Sequence, residues 1–76
     1  MRLSDLQKKN VIDIKSGKNI GIIVDANISQ DGKIISLVVD SGGFFSKFSS
    51  HNEFEIGFSQ INKIGEDVIL VSLDNL

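Results

Sequence analysis

The residue types able to do chemistry gather in one stretch. His51 is the single histidine, and it stands beside Ser49, Ser50 and Glu53. From these a nucleophile and a base could be drawn, but a working site also needs a group that orients the base and one that stabilises developing charge. The spacing supplies neither, and side chains this close together in a serine-rich segment are expected to be solvated. His51 with Glu53 and Glu55 offers one nitrogen and two carboxylates to a metal. With no Cys and no second His, the fixed four-ligand set of a structural zinc cannot be assembled. Ser41-Gly42-Gly43 could present backbone N–H groups to a phosphate. It lacks the Gly-x4-Gly-Lys-[Ser/Thr] spacing before a helix, so flexible glycines at a strand end are the expectation. The sequence therefore predicts no catalysis, no metal and no cofactor.

Phe44, Phe45 and Phe48 carry the strongest signal. Small β-barrels stack bases on aromatic platforms beside a basic groove, and Lys47 with these rings could be offered as one. The basic half is thin: eight Lys and Arg stand against ten Asp and Glu, the net charge is −2, and the chain has no Tyr or Trp. RNA binding stays the alternative, with small-ligand binding behind it. Protein binding fits better. Three large apolar side chains in a polar, glycine-bearing segment running from Ser41 to Glu53 have the composition of an interface core. The same rings could instead plug an open barrel end in a chain short of core volume. Phe44, Phe45 and Phe48 are thus the expected partner-binding residues, and the partner is expected to be a protein that the sequence does not name.

The elements that must position these groups are strands. Twelve Ile and six Val stand against one Ala in 76 residues, and branched side chains favour the pleated backbone. The length allows a single domain, residues 1–76, and without Cys no disulfide supports it. Ser4 with Gln7 predicts a capping box around one short N-terminal helical turn. Val11 to Ile14 reads as a strand, and Lys15 to Asn19 as a tight connection containing Gly17. Ile20, Ile22, Val24, Ala26 and Ile28 alternate onto one face, predicted to be core, while Gly21, Ile23, Asp25 and Asn27 take the other. Asp31-Gly32 predicts a type I′ hairpin turn. Ile34 to Val39 is apolar on both faces, as expected of a central strand or one with an interface face. Phe54, Ile56 and Phe58 alternate along another strand, and Ile64 to Asp67 turns the chain into Val68 to Leu73. Glycines 21 and 57 lie inside strand patterns, where they are expected to mark bulges. The fold class is all-β: a small curled barrel of five or six antiparallel strands that hides its edges, with one short N-terminal helical turn. Apolar second faces on Ile34 to Val39 and Val68 to Leu73 suggest a homo-oligomer. The opening Met1 to Leu6 lacks the apolar stretch of a secretory signal, so a cytoplasmic protein is expected. No apolar run approaches the roughly 18 residues that span a bilayer.

The opening Met1-Arg2-Leu3-Ser4-Asp5-Leu6, the Val11-Ile12-Asp13-Ile14 strand followed by Gly17, Ile20-Gly21 and Asp25, and the closing run Ile61 to Val71 together resemble the PRC-barrel family. The resemblance spans almost the whole chain and is closest to the short single-domain YlmC/YmxH-like sporulation-associated subgroup. It implies the small barrel, a non-catalytic protein-binding role and a link to sporulation. The family commonly has a Pro-Trp pair in the strand after the long loop. Here Gly57-Phe58 stands in that place, and Phe58 is expected to supply the aromatic packing.

Overall fold

A computed structural model describes residues 1–42 and 53–73. A short helix α1 (Leu3–Gln7) precedes strands β1 (Asn10–Asp13), β2 (Asn19–Ile28), β3 (Ile34–Asp40) and β4 (Glu53–Gly57). A 3₁₀ turn (Phe58–Gln60) leads to β5 (Ile61–Ile64) and β6 (Val68–Val71). All six strands form one sheet in the order β4-β3-β2-β1-β6-β5.

Chain connectivity forces this sheet to curl. β4 and β5 are its two edges, which in a flat sheet would lie five strand spacings apart, about 24 Å. Only the residues Phe58–Gln60 separate Gly57 from Ile61, a path of at most about 14 Å. The edges must therefore approach each other, which gives the expected curled barrel, although β4 and β5 do not pair and the sheet is not closed. One detail differs from the all-antiparallel expectation: β1 pairs β6 in parallel, with Val11 opposite Ile69 and Asp13 opposite Val71. Hairpin turns impose antiparallel pairing on sequential strands, but β1 and β6 are the first and last, and no tight turn dictates their direction.

The inner face carries Val11, Ile23, Leu37, Val39, Ile56, Ile69 and Val71, each at most 2% exposed. Leu6 of α1 joins this core. A helix of five residues cannot stand alone and is held by this burial and by Gln7, whose Nε2 donates to Val24 O at 3.4 Å. Its cap is not the expected Ser4–Gln7 pair: Asp5 Oδ2 accepts the Arg2 N–H at 2.8 Å, two positions earlier than predicted.

The core face of β2 is also corrected. Ile23 is buried, whereas Ile22 is 44% and Ile28 62% exposed. The pairing shifts between Val11 and Ile12, leaving Ile20 extra, and again between Ile23 and Asp25, leaving Val24 extra. Each bulge adds one residue and exchanges the faces, so strict alternation misassigns the strand. Ile20 and Ala26 still pack against the core, on either side of Ile23.

The β2–β3 hairpin forms where expected, with different turn chemistry. Gly32 N–H donates to Ser29 O at 3.0 Å and Ser29 N–H to Lys33 O at 2.8 Å. Gly32 has φ +89° while Gln30 and Asp31 keep negative φ, so the loop has three residues and is not type I′, which needs positive φ at both central positions. Of the two strand glycines, Gly21 does sit at a bulge (φ +143°) and packs so closely on β3 that a Cβ would lie 2.4 Å from Asp40 O. Gly57 is the ordinary last residue of β4, opposite Ser36.

Candidate functional site

Phe44, Phe45, Lys47, Phe48, Ser49, Ser50 and His51 lie outside the described residues. Of the predicted metal set, Glu53 and Glu55 are exposed on the outer face of β4, and among the described residues no cluster of three ligating side chains is placed to hold a cation. Ser41-Gly42 ends β3 as a turn in which Gly42 N–H donates to Asp40 Oδ1 at 2.8 Å, so the chain's own carboxylate takes the donor that a phosphate would use. A cleft of ≈ 340 Å³ opens on the outer face beside this turn, between Asn10, Asn19, Ile22 and Asp40. Its carboxamides and carboxylate can hydrogen-bond, but no His or Cys lines it among the described residues.

The surface that sequence reasoning missed lies at the far end of the β2–β3 hairpin. β2 has ten residues and β1 four, so the hairpin runs on past β1 with β3 as its only paired strand. The inner ladder of β3 and β4 pairs Val39 with Phe54 and Leu37 with Ile56. The 3₁₀ turn that follows β4 lies near β3 and carries Phe58, while Ile28 pairs with Ile34 and Ile35 sits at a bulge. This last stretch of the apolar ladder is uncovered: Ile28, Ile34, Ile35 and Phe58 are 62%, 39%, 57% and 51% exposed. At roughly 200 Å² per side chain the four present on the order of 400 Å² of surface, the size of the largest apolar patch on an ordinary monomer, which is often functional. Phe58 does not supply the expected aromatic packing, because β4 ends at Gly57 and the 3₁₀ turn carries the ring off the core. The mismatch between the short run Val11 to Ile14 and the long run Ile20 to Ile28 is the sequence signal that could have exposed this overhang.

Neighbouring side chains stiffen it. Asn27 Nδ2 donates to Ser36 Oγ at 2.9 Å and to Glu55 Oε1, tying β2, β3 and β4 together on the outer face directly behind the exposed patch. Ser36 is the one buried polar side chain among the described residues, and this bond satisfies it. These bonds brace the sheet behind the patch, which forms a shelf at this end of the hairpin. It can do no bond-making chemistry; it can bury apolar groups of another molecule. No helix among the described residues is long and apolar enough to cross a membrane.

A family model described as the PRC-barrel domain matches residues 1–75. The chain is 39% identical over 75 residues to an uncharacterized protein of Clostridium acetobutylicum, covering 97% of this chain and 86% of the relative. It is 38% identical over 73 residues to the probable sporulation protein YlmC of Bacillus subtilis, covering 93% and 90%. Identity to the uncharacterized protein YmxH of Bacillus subtilis is 29% over 76 residues, covering 96% and 89%.

Proposed function

The chain belongs to the PRC-barrel family, and from that membership we propose that it is a non-catalytic, cytoplasmic adaptor whose hairpin shelf grips apolar side chains of a protein partner. The observation that carries this reading is the uncovered inner ladder at Ile28, Ile34, Ile35 and Phe58. Leaving it exposed costs solubility and gains no stability, so a surface of this kind is retained for contact. A role in sporulation is supported by the likeness to the probable sporulation protein YlmC. Phe44, Phe45 and Phe48 add a second group of contact side chains to the same role. The test is affinity capture from sporulating cells with wild-type protein and with the double variant Ile35→Ser/Phe58→Ser, using lysate with and without RNase. The adaptor reading expects protein partners that survive RNase and are lost with the variant. Loss of every partner after RNase would replace it with RNA binding.

A further inference from the structure

The cleft on the outer face sets an apolar floor between polar walls. Ile22, 44% exposed, pairs with Asn10 of β1 on one side and with Asp40 of β3 on the other, so the three side chains share one rung and one face. Asn19 and the Ser41-Gly42 turn complete the lining of a space of ≈ 340 Å³, the small end of the range in which ligand pockets fall.

The walls use only part of their hydrogen-bonding capacity. Asp40 Oδ1 accepts the Gly42 N–H at 2.8 Å, and Asn19 Oδ1 accepts the Gly21 N–H at 3.0 Å. Asp40 Oδ2, Asn19 Nδ2 and the whole side-chain carboxamide of Asn10 have no partner among the described residues. Among those residues no Lys or Arg lines the cleft, and Asp40 has no ion pair. Its neighbour across the β3–β4 ladder is Glu53, also without an ion pair there. Like charges directly opposite each other in an antiparallel pair repel, so a cation entering beside Asp40 relieves a cost that the fold itself leaves standing.

We propose that this cleft takes the arginine side chain of a protein partner. A guanidinium group is planar and weakly hydrated, and it can donate to Asp40 Oδ2 while its methylene stem lies along Ile22. Asn10 and Asn19 keep N–H donors for the carbonyl groups of the peptide that carries the arginine. A lysine ammonium would answer the charge, but it is compact and strongly hydrated and so gains less from the apolar floor. An apolar side chain would cover the floor and leave the carboxylate desolvated without a partner. The cleft lies at the opposite end of the β2–β3 hairpin from the shelf, and it rests on the adaptor reading only in taking the partner to be a protein.

The probe is N-acetyl-arginine methylamide, titrated into the isotope-labelled full chain and followed by nuclear magnetic resonance, with the lysine, citrulline and leucine counterparts as comparisons. Saturable binding with a dissociation constant on the order of 1 mM is expected for so small a ligand. The shifts should centre on Ile22, Gly42 and the carboxamides of Asn10 and Asn19. The lysine compound should bind at least fivefold more weakly, and the citrulline and leucine compounds should not saturate. Asp40→Asn, whose carboxamide oxygen can still accept the Gly42 N–H, should weaken arginine binding at least tenfold. Ile22→Ser, which removes an exposed side chain, should weaken it at least threefold, and both variants should keep their circular-dichroism melts. Ile35→Ser/Phe58→Ser should bind the arginine compound as wild type does, so loss of partner capture in that variant reports on the shelf alone. Absence of saturable binding, shifts centred elsewhere, equal affinity for the lysine or leucine compound, or unchanged binding by Asp40→Asn would each overturn the proposal.

Discussion

Replacing Gly21 by Ala should be among the most damaging single-methyl changes in this protein. The residue has φ +143°, a conformation that side chains rarely adopt, and its Cβ would lie 2.4 Å from Asp40 O and 2.8 Å from both the Asp40 carbonyl carbon and Val39 Cγ1. The first two atoms are backbone of the central strand β3 and cannot move without breaking its ladder. Holding a non-glycine residue at such a φ costs about 1–3 kcal/mol, and overpacking adds about 1–3 kcal/mol more. A domain of this size has about 5 kcal/mol to lose. Two other glycines separate these causes. Gly32 has φ +89° with nothing within 4 Å of where a methyl would sit, so Gly32→Ala feels conformation alone, about 1 kcal/mol. Gly57 has φ −66° and its nearest neighbour would be 3.7 Å away, so Gly57→Ala should be close to neutral. Urea unfolding followed by far-ultraviolet circular dichroism would rank the three, with Gly21→Ala falling furthest, Gly32→Ala between and Gly57→Ala near wild type. If Gly21→Ala unfolds with Gly57→Ala, the close approach of β2 to β3 at the bulge is wrong.

Two further outcomes follow from burial and composition. Ile56→Ala removes a side chain 1% exposed and should cost about 2–5 kcal/mol in thermal or urea unfolding, whereas Phe58→Ala, at 51% exposure, should cost under about 1 kcal/mol in the same assay. Phe44→Ser/Phe45→Ser should leave the melting temperature within a few degrees of wild type while weakening partner capture, and a loss of several kcal/mol would instead assign those rings to the core.

How much can be read from residues alone depends on which interactions decide each feature. Strand order in the hairpins is legible because turn residues and branched runs act locally: Gly17, Gly32 and Gly65 all fall at or beside the connections that their types imply. The regular alternation of β6 is legible for the same reason, but both of its faces are apolar, and only the structure shows that Ile69 and Val71 are the buried side. β2 is not, because its bulges at Ile20 and Val24 are set by pairing with β1 and β3, and nothing in its own apolar alternation records a partner's register. The parallel closure of β1 on β6 joins residues more than fifty positions apart and leaves no local mark. The candidate surface is hidden by the same limit. Ile28 and Phe58 read as core because they continue apolar patterns, and they are exposed only because the neighbouring strand stops short of the one and β4 ends before the other.

The adaptor claim is tested most directly by cross-linking from the shelf itself. A photoreactive side chain placed at Ile28, which is 62% exposed, should capture a protein partner on irradiation in sporulating cells. The same group at Asn62, exposed on β5, should not capture it. Capture of one protein from position 28 and not from position 62, abolished by Ile35→Ser, is the predicted result. Cross-links from position 28 to RNA alone, or the same protein captured equally from both positions, would contradict the account.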